Sequence, residues 1–181
     1  QSHYDWANML PDYNYPVSAT KEQEDAVALL MNDVGVASFM QYTPVSSGTQ
    51  GIFAYQALQK NFDYTAAYAT KAVEGPTRFA QILRQELLNG CPVYLEGRPA
   101  GNASGHAWVT DGFDENGLFH MNFGWDGQGD AYYSLTNLSL SQTGSEFQGK
   151  PLAFNRAIMA ILAHPNNGKY PAIERGLLET S

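Results

Sequence analysis

The apolar residues of this 181-residue chain change period near residue 91, and that change limits the fold more than any other feature of the sequence. Before it, they recur on helical faces. Ala26, Val27, Leu30 and Val34 share one side of a helix that Thr20 and Gln23 open with capping-box spacing and that Gly35 is expected to close. After a loop rich in Pro, Ser and Gly, a second helix is expected through Phe53, Ala57 and Leu58. Phe79, Ile82, Leu83 and Leu87 form the stripe of a third, with Pro76 early in it, Gly90 at its C′ position and Pro92 just beyond. From there the period is two. "PVYLEG", "HAWVTDGF", "LFHMNF", "AYYSL" and "RAIMAILA" are short aromatic or β-branched runs separated by Gly, Asn and Asp, and "DENG" has the composition of a hairpin turn. Helices first and strands afterwards predict an α+β domain with an antiparallel sheet rather than alternating βαβ units.

The length suits one domain with its own core, expected to span residues 1–163. Residues 164–181 begin with turn formers and are expected to be a surface-lying tail. "HYDWANMLPDYNYPVSAT", near the start, reads as an irregular segment anchored by its aromatic side chains. Ten basic residues against eighteen acidic give a formal charge of −8, and the basic residues form no cluster, which argues against nucleic acid as a partner. No apolar run approaches the roughly 18 residues of a membrane span. Gln1 opens the chain without an initiator Met, as expected either of a processing product or of a piece cut from a longer sequence.

The chain has a single cysteine, so an internal disulfide framework is excluded and attention turns to thiol chemistry. A nucleophilic cysteine must be a thiolate near neutral pH, for which a neighbouring imidazolium or the positive end of a helix dipole is the usual device. Cys91 instead follows the C-terminus of the third helix, where the partial charge is negative, and Pro92 removes a backbone N–H where an oxyanion hole needs donors. It reads as a small buried thiol at a helix-to-strand junction. His106 is different, because it opens a strand beside a Gly-containing loop where a side chain can face a cleft. Asn122 leaves the returning strand and is expected to accept from the imidazole N–H, fixing its tautomer as in a Cys-His-Asn arrangement. Trp125 is expected to roof that hydrogen bond. Cys91, His106 and His120 lack the spacing of zinc ligands, so no metal site is expected.

With these residues in hand, the chain resembles the streptopain family of bacterial cysteine peptidases, which have a papain-like fold. "YDWANMLPDY", "AVALLMNDVGVASFMQY", "SSG", "PVYLEG", "GHAWVTDGFDENGLFHMNFGWDG" and "AFNRAIMAIL" look like that family's segments, in order, over residues 4–163. The resemblance puts His106 at the catalytic histidine position. It also places Ser46, Ser47 and Gly48 in a loop bordering the substrate cleft, with Gly105 as a further substrate contact. "NFGWDG" stands where the family usually has Asn-Trp-Gly-Trp-Gly-Gly, so Phe123 replaces a Trp beside the site and Asp126 adds a carboxylate. The family's nucleophilic cysteine belongs to a helix N-terminal to everything present here, so the resemblance implies a papain-like portion lacking its Cys-bearing segment.

The expected function is therefore the His-bearing portion of a secreted or cell-surface bacterial cysteine endopeptidase, inert alone. Its partners are a peptide or protein substrate, the Cys-bearing N-terminal segment of the same precursor, and a propeptide. The mechanism calls for no cofactor. The alternative is a catalytically silent papain-like module that binds peptide or protein, a reading that Phe123 and Asp126 invite.

Overall fold

The computed structural model describes residues 2–13, 16–44, 46–100, 105–140 and 153–173. The chain divides into two compact units, residues 1–62 and 63–181. In the first, a single 3₁₀ turn, Trp6–Asn8, interrupts the aromatic segment, and the anchoring expected of that segment is present: Tyr4 donates to Asp33 Oδ2 at 3.0 Å and Tyr13 to the Gln23 carbonyl at 2.9 Å. Helix α1, Lys21–Ala37, opens on the predicted capping box of Thr20 and Gln23. Gly35 does not close it. A Cβ at Gly35 would lie 2.0 Å from Tyr42 Oη, so the glycine lets Tyr42 cross the helix, and the helix runs on to Ala37, beyond which Phe39, with φ 53°, turns the chain. The predicted apolar stripe is only partly covered within this unit: Ala26 is buried, Val27 and Leu30 are half-buried and Val34 is exposed. Strands β1, Gln41–Tyr42, and β2, Ser47–Gly48, form a short antiparallel pair where only a loop was expected, and α2 runs over Gly51–Asn61.

The second unit carries the main core. Helix α3, Lys71–Leu88, is broken at Gly75, with φ 75°, so its regular part starts at Pro76, the residue type that fits a first helical turn. Its end is a Schellman turn: Gly90, with φ 76°, donates to the Leu87 carbonyl at 3.0 Å and Cys91 to that of Glu86 at 2.9 Å. The strands are β3, Tyr64–Thr70; β4, Val93–Arg98; β5, His106–Phe113; β6, Phe119–Asn122; β7, Ala131–Tyr133; and β8, Arg156–Pro165. They form one antiparallel sheet in the order β3-β8-β4-β5-β6-β7. All but β3 are where the period-two runs predicted. Strand β3, "YTAAYAT", mixes strand-favouring Tyr and Thr with three alanines and shows no clear apolar alternation; its seven-residue pairing with β8 holds it as a strand. The "DENG" turn joins β5 to β6, with Leu118 N–H bonded to Asp114 Oδ1 at 2.7 Å and Gly117 at φ 82°.

Helix α3 lays Phe79, Ile82 and Leu83 on one face of the sheet, against Val93, Leu95, Phe119, Met121 and Leu162. This is the α+β arrangement that the change of period predicts. The expected tail at 164 begins too early. His164 and Pro165 are the last residues of β8, His164 is buried, and Ile173 packs against the core, because pairing with β3 carries the strand past its apolar run. Residues 174–181 of that expected tail lie outside the described residues.

Candidate active site

Two close approaches set the position of His106. In the β4–β5 pairing it stands opposite Gly97, beside a shift in the β4–β8 register between Glu96 and Arg98. A Cβ on Gly97 would come 2.9 Å from the Trp108 ring and 3.2 Å from the Phe154 carbonyl oxygen, and one on Gly105 would come 2.8 Å from the Gly97 carbonyl oxygen. Only residues without side chains let β5 start this close to β4.

The His106 ring is half-buried in an aromatic nest. Trp125 stacks on it with centroids 4.4 Å apart and planes at 29°, and Phe154 lies at 5.6 Å, Phe123 at 6.2 Å and Trp108 at 6.4 Å. Its Nε2 is 2.8 Å from the Phe123 carbonyl oxygen. A carbonyl only accepts, so the hydrogen of the neutral ring sits on Nε2, and the lone pair of Nδ1 is left for a reacting group. The carbonyl is itself held by its neighbours: Phe123 N–H donates to Asp130 Oδ1 at 2.9 Å, and Gly124 N–H to Asn122 Oδ1 at 2.9 Å.

The predicted contact between Asn122 and His106 is therefore replaced. Asn122 pairs with Val109, one step out of phase with His106 and Trp108, so its side chain leaves the sheet on the opposite face from theirs. It is exposed and bonds the following backbone, while the main chain of Phe123 orients the imidazole. Trp125 lies over the His106 ring itself rather than over the expected bond to Asn122, which is absent, and Phe123 is buried next to it. Ser46, Ser47 and Gly48 are exposed in the first unit, with Ser46 closing a tight turn on Thr43; Gly105 is exposed in the second. Cys91 is far from the ring. It precedes β4, whereas His106 faces the other end of that strand, on the order of 20 Å away at the usual rise per residue. Burial, and then the carboxylate of Glu86, push its thiol pKa up, the opposite of what a nucleophile needs. His120, with Nδ1 2.6 Å from Asp111 Oδ1, alternates onto the outer face of β6.

Three contributors escape a reading of sequence. The Phe123 carbonyl has no side-chain signature. Asp130 resembles any turn carboxylate, and Phe154 any aromatic; the only local hint was a carboxylate in the Gly-rich segment after Trp125.

Desolvation lowers the pKa of His106 and the bond to Phe123 raises it, with desolvation the larger, so the folded chain holds the ring below the ordinary imidazole value. The unfolded chain then takes up this proton first as pH falls. The site's contribution to stability is whole above the unfolded pKa of about 6.5 and is lost as pH drops toward the lower folded value. Urea midpoints of the wild type are expected to fall across that window relative to His106→Gln, which does not titrate; parallel pH profiles would contradict the assigned direction.

The family model described as the Peptidase C10 family matches residues 1–133. The chain is 34% identical over 146 residues to the thiol protease/hemagglutinin PrtT of Porphyromonas gingivalis, covering 78% of this chain and 16% of PrtT. It is 35% identical over 145 residues to streptopain of Streptococcus pyogenes, covering 78% of this chain and 35% of streptopain. Among solved structures it is similar to the active wild-type interpain A cysteine protease of Prevotella intermedia, with TM-score 0.75 and 32% identity over 88% of this chain and 63% of that one. A prointerpain A fragment from the same organism gives TM-score 0.66 at 31% identity, covering 88% of this chain and 48% of the fragment. The α+β architecture described above is thus a papain-like one. The chain spans about a third of the length of streptopain and under two thirds of the interpain A structure.

Proposed function

The chain belongs to the Peptidase C10 family, and from that membership we propose that it is the His-bearing portion of a bacterial cysteine endopeptidase whose nucleophilic cysteine comes from a segment outside residues 1–181. The observation that carries the reading is the state of His106: Nε2 tied to a backbone carbonyl, one ring face under Trp125, Nδ1 free. In the assembled enzyme the incoming thiol gives its proton to Nδ1, and the thiolate attacks the peptide carbonyl carbon. The imidazolium then returns the proton to the leaving amine, and the acyl-thioester is hydrolysed by a water that the neutral ring activates. Throughout, Nε2–H stays donated to Phe123, which stabilises the ring when it is charged. Trp125 and Phe123 keep competing water from that bond. Asn122 acts one step removed, as a positioning residue that holds Gly124 N–H and so the turn carrying the Phe123 carbonyl.

Ser46, Ser47, Gly48 and Gly105 are the proposed substrate contacts, the first three for a peptide backbone that small exposed residues leave accessible. Secretion or display at the cell surface, and a propeptide in the precursor, belong to the same reading; the relatives named above are bacterial, and one is a pro-form. No described helix is long and apolar enough to cross a membrane. The silent-module alternative loses its main support at Phe123. The replaced Trp side chain is not what orients His106, and a backbone carbonyl survives any substitution at that position.

Labelling with a thiol-directed peptidase inhibitor tests the proposal. The full precursor is expected to hydrolyse peptide and to carry the label on a cysteine outside residues 1–181, while the chain alone neither hydrolyses nor labels. Label recovered on Cys91 together with loss of activity would overturn it.

A further inference from the structure

Where α3 ends and β4 begins, two side chains of one turn, Glu86 and Cys91, converge with His164, which is distant from both in sequence. The antiparallel β4–β8 register pairs Tyr94 with Ile161 and Leu95 with Ala160; carried past Tyr94, it sets Cys91 opposite His164. The Schellman turn then folds Glu86 back beside Cys91 through the bond from Cys91 N–H to the Glu86 carbonyl. All three side chains are buried, each residue about 4% exposed, and one ligand atom from each lies within 4.8 Å of the others.

The imidazole is oriented as a metal ligand would be. His164 Nδ1 is 2.8 Å from the Pro171 carbonyl oxygen, which only accepts, so Nδ1 carries hydrogen and Nε2 points its lone pair into the cluster. There it lies 2.6 Å from Glu86 Oε2, a charge-assisted hydrogen bond whose shared proton occupies the place that a metal cation would take. The thiol of Cys91 has only a long contact, 3.9 Å to the Asn89 carbonyl. The negative end of the α3 dipole falls on the same spot. Thiolate, imidazole and carboxylate together form a borderline-soft donor set of the kind that selects zinc.

We propose that Glu86, Cys91 and His164 bind a single Zn²⁺-class divalent ion that ties the end of β8 and the C-terminus of α3 to the start of β4. Without the ion, one proton lies between Glu86 and His164 and another on the thiol. The ion replaces both, releasing two protons, and the buried site stays neutral, with two negative ligands and neutral His164 around a 2+ charge. Coordination requires Oε2 and Nε2 to part to roughly 3.3 Å, the ligand spacing around a tetrahedral ion with bonds of about 2.0–2.1 Å. Glu86 also helps to line a cavity of about 120 Å³, space enough for a water.

Cobalt reports the site directly. After reduction and chelation, the purified chain titrated with Co²⁺ is expected to saturate at one ion, with a thiolate-to-cobalt charge-transfer band in the near ultraviolet. One equivalent of Zn²⁺ should abolish the band and raise the melting temperature. Cys91→Ser should remove the band, and His164→Gln should weaken binding at least tenfold. A wild-type chain that gives no such band overturns the proposal by itself, whether or not the variants fold. So does a zinc-induced rise in melting temperature that is equal in wild type and Cys91→Ser; the cluster is then a proton-sharing Glu–His pair beside an inert thiol.

Discussion

Alanine at position 106 is expected to lower kcat/KM of the assembled peptidase by roughly 10⁴-fold or more, almost entirely through kcat. The His106 ring is the only group in the aromatic nest that can take a proton from a thiol and return it to an amine, and its Nδ1 is the atom left free to do so. Losing it removes proton transfer at both ends of the reaction, while substrate binding, which depends on other surfaces, keeps KM within a few-fold. The cavity left under Trp125 should admit free imidazole, so partial rescue by added imidazole is part of the expectation. Separate measurement of kcat and KM with a peptide substrate checks it. An unchanged kcat would remove His106 from the mechanism and with it the reading of the whole site.

Phe79→Ala is expected to destabilise the fold by about 3–5 kcal/mol, the usual cost of truncating a fully buried phenylalanine. Phe79 is 0% exposed and sits where α3 meets the sheet, in one cluster with Leu83, Val93, Leu95 and Leu162. Its ring fills space between a helix and strands that are braced from several sides, so the surroundings cannot collapse fully and much of the ring volume becomes cavity. Against a net stability of about 5–15 kcal/mol for an ordinary domain, that is a large fraction. A urea midpoint that falls with an unchanged m-value is the expected signature. A loss under 1 kcal/mol would mean that α3 does not pack on the sheet as described.

Sequence and structure divide along the line between local and non-local physics. The capping box of Thr20 and Gln23, the Gly90–Pro92 stop, the "DENG" hairpin and the alternation of β4 through β8 were legible because each depends on residues a few positions apart. The place of His106 at the head of β5, after Gly105, was legible too, since a strand start is a local pattern. Strand β3 was not, because three alanines break up its Tyr and Thr and blur the period-two pattern, and the pairing with β8 fixes it. Gly35 looked like a helix stop until Tyr42, arriving from the next segment, gave it a steric reason to lie inside the helix.

The groups around His106 and His164 were settled by closure of the sheet. Asn122 has the right chemistry to orient an imidazole, but pairing with Val109 turns its side chain away, and a carbonyl that any residue could have provided takes the contact. Glu86, Cys91 and His164 share no motif spacing; a helix turn and a strand register carry them to one point. Periodicity and caps say which elements form because their energies are summed over neighbours in the chain. Which atoms then meet depends on register and on the face each side chain leaves from, and those are set only when distant strands pair.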